Sequence, residues 1–447
     1  NTEIPADKSV WGTYIELREI AQGQLRGLID ATVKNPGKPG SEAHKIADLY
    51  TSFMNEKARN AAGFKPLHAE LARVAAVKDK KDLPALLAYL QGNGVATPFS
   101  AYVAPDAQDP EQYTVNISQS GLGLPDRDYY LKDDDAKLQA VRAKYLKHIE
   151  TMLAMSGDKA AAEHAAQILD IETRLAAVQW TRVQMRDPVK SYNRVDFDKF
   201  AALAPAFDWN AYFTAAGLAP KASSAVVRQP SFMTGFSETL AAVPLASWKS
   251  YLNWRIIESY ASYLDSTTVK ERFAFDGTVL RGVPQSEPQW QLALRFTDNA
   301  ISDAVGKRYV QMYLPPETRP RVMAMFDNRS EERRGWHRAT RLDGPGNQEG
   351  SPAQAGSAEA EDRLPGYLAR LQQHADAAER PDRQRARRAR VEPPAKPGQI
   401  GQTGRPRRMV DDAANRQRQL QPGPECHHDP GRDFAAAILQ RESGRCR

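Results

Sequence analysis

The chain has 447 residues, 41% of them hydrophobic, with a formal net charge of +6 and a pI near 9.1. That length can hold two or three domains around a substantial core, and no apolar run is long enough for a transmembrane span. The charge is confined to one end: residues 329–447 hold 22 Arg, one Lys and 17 Asp or Glu, so residues 1–328 are neutral.

The basic end is poor in groups that build a core. It has three aromatics, Trp336, Tyr367 and Phe434, against 23 Pro plus Gly. Such a composition cannot offset chain entropy by burial, so a disordered tail is expected over 329–447. Its Arg-rich stretch RQRARRAR invites one reading as a basic arm for nucleic acid or anionic surfaces on a helical binding protein. Against that reading, the arginines are diluted by carboxylates and lack interleaved aromatics, and nucleic acid is not expected as a partner. Both cysteines, Cys426 and Cys446, lie in the tail, which removes any disulfide argument from the first 328 residues and suits cytosol or periplasm alike. The chain opens at Asn1 without Met or a charged-then-apolar leader. A missing signal peptide is uninformative if this is a mature end or a fragment.

The neutral part reads mainly as helix. After a capping candidate at Asp7 or Ser9, the residues Trp11, Tyr14, Ile15, Leu17, Ile20, Leu25 and Leu28 recur at helical spacing on one apolar face. Next, TPFSAYVAPDAQDPEQYTVNISQSG alternates: Tyr113, Val115 and Ile117 are interleaved with Thr114, Asn116 and Ser118, and an apolar run before Pro105 can pair with them. This predicts a small hairpin near 98–118. Asn116-Ile117-Ser118 matches a glycosylation triplet, but it reads better as an ordinary polar strand edge.

The stretch SGLGLPDRDYYLKDDD, Ser120 to Asp135, then places Gly121, Gly123 and Pro125 where a turn needs them. Asp126 or Asp128 can bond backbone or Arg127, and the tyrosines can fold over a core. The stretch reads as a structural corner rather than a catalytic loop. Further helices follow, with stripes at Leu138, Val141, Tyr145, Ile149 and Met152; at Ile168, Ile171, Leu175 and Val178; and at Trp248, Leu252, Ile256 and Tyr260.

The segment GLGLPDRDYYL resembles the corresponding loop of the neprilysin family of zinc metallopeptidases. IPADKSVWGTYIELRE, YTSFMNEKARNAAGFKPLHAEL, RDPVKSYN, FDWNAYFTAAGL and AVGKRYVQMYLP resemble other segments of that family, in its order and at compatible spacings. Together they cover residues 1 to about 328. The resemblance implies a mainly α, multi-helix lid domain that caps a thermolysin-like catalytic domain and encloses its substrate chamber. It also implies zinc and peptide substrates for the intact parent, and a periplasmic or extracellular location.

The catalytic half is where this sequence departs from the family. Such a peptidase needs His-Glu-x-x-His on one helix, so that two imidazoles face one metal and the glutamate activates the bound water, with a further Glu ligand downstream. The eight histidines, His44, His68, His148, His164, His337, His374, His427 and His428, show no such pattern. Cys426, His427 and His428 are adjacent, so they point in different directions, and no second ligand pair follows. No catalytic residue, metal ligand or bound zinc is therefore expected in this chain, which is expected to be inactive alone.

The tail's composition suggests a reason. Arg, Ala, Pro and Gly codons can be written in G and C alone, as in an out-of-frame reading of a GC-rich gene. Back-translating Ala339 to Gly350 and dropping one nucleotide gives Arg-Leu-Asp-Trp-Met-Gly-Pro-Ala-Thr-Lys-Lys, similar to a family segment at about this distance. In the same frame Arg408 to His428 yields a Trp-Trp-Met stretch and the family's Asn-Ala strand. Ala435 to Cys446 yields Gln-Pro-Pro-Phe-Phe, which in the family precedes the zinc helix. A frameshift near codon 329, with truncation before the zinc helix, is the preferred account.

Within the lid, the family lines part of its substrate pocket from the first helix. Aligned on KSVWGTYIELR, its pocket arginine falls on Arg18, while two further polar positions fall on Val10 and Ile15 and so are not matched. Arg18 is the one substrate-binding candidate. An ordinary surface ion pair with Glu19 is the competing reading.

Overall fold

In a computed structural model of the chain, residues 4–340 are described, apart from residue 220, with side chains to 329. Of the tail expected to be disordered from 329, residues 329–340 are described and form the end of the helix Thr318–Thr340, while the rest, with His374, Cys426, His427 and His428, lies outside the described residues. The longer helices are α1 (Thr13–Lys34), α2 (Glu42–Met54), α3 (His68–Ala76), α4 (Leu83–Gly92), α5 (Ala136–Met155), α6 (Ala161–Val178), α7 (Pro230–Ala242), α8 (Leu245–Tyr260), α9 (Ser266–Phe273), α10 (Gln289–Tyr313) and α11 (Thr318–Thr340). The described residues divide into a main body, 4–106 with 111–302, and a second unit, 107–110 with 303–340. This division follows a break in α10 at Ile301, whose φ of −141° and ψ of 46° are not helical.

The expected hairpin is present as β1 (Phe99–Pro105) and β2 (Tyr113–Gln119), paired antiparallel with Val103 opposite Val115 and Ala101 opposite Ile117. It is larger than expected, because β3 (Asn193–Asp196) and β4 (Ser224–Val227) complete a four-stranded sheet in the order β1-β2-β4-β3. β2 is therefore interior, parallel to β4, and Asn116 is only 7% exposed. The glycosylation triplet lies within a paired strand.

The core of the main body is built where the periodicity placed it. Ile168, Ile171 and Leu175 of α6 are fully buried, as are Tyr145, Ile149 and Met152 of α5 and Trp248, Leu252 and Ile256 of α8. Under the sheet, Phe99 is ringed by Phe207, Trp209, Tyr212 and Phe236 at centroid distances of 5.1–5.6 Å, within the favourable range for edge and offset aromatic pairs.

The first helix differs from expectation. It begins at Thr13 behind Gly12 with no side-chain cap, so neither Asp7 nor Ser9 caps it. Asp7 instead contacts Lys8. Leu17 and Leu28 face inward with Ile29, whereas Tyr14 and Ile20 remain 46% and 48% exposed. The apolar stripe read from sequence is wider than the surface that covers it.

Candidate functional site and structural neighbours

Arg18 lies on α1, half-buried, one turn beyond Ile15; Val10 precedes the helix and is 60% exposed. Its Nε is shielded from solvent and has no hydrogen-bond partner, and Arg18 makes no ion pair among the described residues. The pairing with Glu19 is therefore not formed. Glu19 is held elsewhere: its Oε1 lies 2.9 Å from Lys8 Nζ, and its Oε2 accepts a 3.1 Å hydrogen bond from Gln291 Nε2 of α10.

Lys8 is the hub of that cluster. Its ammonium also meets Asp7 at 3.2 Å and Glu287 at 3.5 Å, and Glu287 in turn pairs with Arg295 at 2.9 Å. Burial alone would lower the Lys8 pKa. Hydrogen bonds to Glu19 and Asp7, with the charges of Glu19 and Glu287, outweigh that and raise it. A short way along α1, the Arg26 guanidinium lies 4.4 Å from the Trp290 ring centroid. These contacts fasten the first helix to the start of α10 and set where Arg18 sits. Sequence reasoning missed them, because they join residues some 270 positions apart.

The corner at 120–131 is structural. Gly121 has φ of +91°, and a Cβ there would fall 2.7 Å from Pro98 Cα and Tyr251 Oη; a Cβ at Gly123 would fall 1.8 Å from Tyr145 Oη. Both positions need glycine, the first for its backbone and both for close approach. Of the two bonds open to the corner aspartates, the one to backbone is formed, Asp126 Oδ1 accepting the Asp128 amide at 2.9 Å, and the one to Arg127 is not. Arg127 donates instead to the carbonyls of Gln179 and Ala177 at the end of α6, where the last turn leaves acceptors unsatisfied. Asp126 pairs with Arg182 at 2.7 Å, and Asp128 with Lys132 at 2.8 Å. Tyr130 is buried, as expected, and its hydroxyl reaches Glu172.

Metal chemistry has no home among the described residues. His44, His148 and His164 each lie near one carboxylate, of Asp48, Glu271 and Asp158. No group of three His, Cys, Asp or Glu side chains is placed to hold an ion among the described residues. No helix among the described residues is long and apolar enough to cross a membrane.

Residues 1–332 match the profile of peptidase family M13 over its N-terminal region. The chain belongs to this family, the neprilysin-type zinc metallopeptidases. Endothelin-converting enzyme 1 of Bos taurus is 26% identical over 323 residues, which cover 69% of this chain and 42% of that enzyme. Zinc metalloprotease Zmp1 of Mycobacterium tuberculosis, solved with an inhibitor, superposes with a TM-score of 0.69 at 35% identity, covering 74% of this chain and 50% of Zmp1. PepO from Lactobacillus rhamnosis shares the fold at a TM-score of 0.62 and 19% identity, covering 74% of this chain and 52% of PepO. The chain thus spans about half the length of the relatives it matches.

Proposed function

We propose that this chain is the substrate-enclosing N-terminal region of a zinc metalloendopeptidase, and that by itself it does not hydrolyse peptides. The observation that carries this reading is the pairing of a family match over 1–332 with a 447-residue sequence in which His-Glu-x-x-His does not occur. Peptide hydrolysis of this kind requires protein ligands that hold zinc with an open position, and a glutamate within reach of the metal-bound water. A lid can orient a peptide but cannot generate that nucleophile.

In the same reading Arg18 binds substrate in the complete enzyme. Its support is the alignment on KSVWGTYIELR, together with a shielded Nε that no described residue satisfies. A buried guanidinium N–H without a partner is costly, and a peptide carbonyl or carboxylate would supply the acceptor. The complete enzyme acts on peptides outside the cytoplasm, as the resemblance implies.

Residues from about 329 onward derive from an out-of-frame reading of the gene. The family match stopping at 332, the charge break at the same place and the three shifted windows support this. The nucleotide sequence tests it: a one-nucleotide insertion or deletion between the codons for about Phe326 and Thr340 is expected. An intact frame whose shifted codons fail to yield the family segments would refute it.

A further inference from the structure

Glu172 stands on the apolar stripe of α6 with no solvent exposure. Its Oε2 accepts a 2.7 Å hydrogen bond from Tyr130, and its Oε1 a 3.1 Å bond from Tyr145, with Arg255 Nη1 3.7 Å from the same Oε1. Arg255 is closer to another carboxylate, Glu258 Oε2, at 2.7 Å. One guanidinium therefore serves two carboxylates. If both are ionised, the guanidinium is shared between Glu258, whose side chain is 23% exposed and partly hydrated, and Glu172, which water does not reach, so the under-compensated charge falls on Glu172, which is costly.

The groups facing Glu172 can be named element by element. They are Tyr130 from the short helix Asp128–Leu131, Tyr145 from α5, and Tyr251, Arg255 and Glu258 from α8. Burial raises all three tyrosine pKa values, so these hydroxyls stay protonated and neutral. Desolvation likewise pushes the Glu172 carboxyl up to about 7, outweighing the charge of Arg255 and the hydrogen bond from Tyr130.

The donor inventory decides which oxygen can take a proton. Tyr130 Oη accepts the amides of Gly123 at 3.1 Å and Leu124 at 2.8 Å, so both its lone pairs are used and its own proton must go to Oε2. Tyr145 Oη accepts one bond, from Trp254 Nε1 at 3.0 Å, and retains a lone pair for a second donor.

We propose that Glu172 is a buried proton switch: uptake of one proton at Oε1 neutralises it and leaves Arg255 to Glu258, while Tyr130 keeps the 121–131 corner clasped. The sign of the linkage follows from a folded-state pKa above the unfolded value. Between about pH 4.5 and 7 the folded chain holds a proton that the unfolded chain has lost. Stability from this group is full below that window and falls as pH rises through it, by up to about tenfold in the folding constant per pH unit.

The test is denaturant unfolding of the full 447-residue chain at a series of pH values, followed by tryptophan fluorescence. The wild-type folding constant should fall between about pH 4.5 and 7 relative to Glu172→Gln, whose profile lacks that limb. Glu258→Gln removes the competing carboxylate and gives Arg255 to Glu172 alone, so the limb should move to lower pH by about one unit or more. Glu258→Gln also decides the matter if Glu172→Gln does not fold. Parallel profiles for wild type and Glu172→Gln, or a limb that Glu258→Gln leaves in place, would overturn the proposal.

Discussion

Lys8 and Glu19 meet at 2.9 Å with the lysine only 9% exposed, so the segment ahead of the first helix is tied to it by a shielded ion pair. Replacing Lys8 by Met leaves Asp7, Glu19 and Glu287 facing one another without their cation. The carboxylates are partly solvated, so the expected loss is about 1–3 kcal/mol rather than the full cost of breaking a buried pair. Urea denaturation reads the difference, and amide exchange should rise first in residues 5–20. An unchanged midpoint with unchanged exchange would show that the cluster holds nothing in place.

The corner predicts a contrast between two neighbouring tyrosines. Tyr130→Phe leaves Glu172 Oε2 and the amides of Gly123 and Leu124 without their shared partner, for an expected loss of about 2–3 kcal/mol. Tyr129→Phe, at a half-buried position with no side-chain hydrogen bond among the described residues, should shift the midpoint little. Equal effects of the two substitutions would contradict the assigned role of the Tyr130 hydroxyl.

Asp265 caps α9, accepting the amides of Thr267 at 3.0 Å and Thr268 at 3.1 Å and the Thr268 hydroxyl at 2.7 Å. Desolvation works to raise its pKa, but these bonds outweigh it and hold the carboxyl below the usual range. Its contribution is therefore present above the unfolded value and lost as pH falls through the lower folded one. Asp265→Ala should cost about 1 kcal/mol at neutral pH, and Asp265→Asn, which keeps a capping acceptor, less. Stability measured at both ends of the acid range distinguishes them.

Much of this architecture was legible in the sequence, for identifiable reasons. Ile168, Ile171 and Leu175 recur at helical spacing and are buried; Val115 and Ile117 alternate and lie in a strand. The strands Asn193–Asp196 and Ser224–Val227 were not legible, because four residues carry too short a pattern and their partners are distant in sequence. Glu172 gave a signal that could have been followed: a carboxylate beside Ile171 on an otherwise apolar stripe must find buried donors. For Arg18, the alignment supplied the position and the structure added the missing ion pair, since Lys8 rather than Arg18 holds Glu19.

If Arg18 binds peptide in the complete enzyme, Arg18→Ala in a frame-restored, full-length protein should raise KM several-fold with a smaller change in kcat, the pattern of lost uniform binding. The same substitution should leave the unfolding midpoint of the 447-residue chain nearly unchanged, because Arg18 has no hydrogen-bond or ion-pair partner at Nε to lose among the described residues. A drop in kcat with KM constant would place its role in the chemical step instead.

Hydrolysis of short peptides by the purified 447-residue chain, measured with and without a chelator beside the frame-restored, full-length protein, bears most directly on the assignment. The chain as it stands should show no chelator-sensitive cleavage and no stoichiometric zinc, while the restored protein shows both. Chelator-sensitive hydrolysis by the 447-residue chain itself would contradict the reading of this sequence as a lid without its catalytic half.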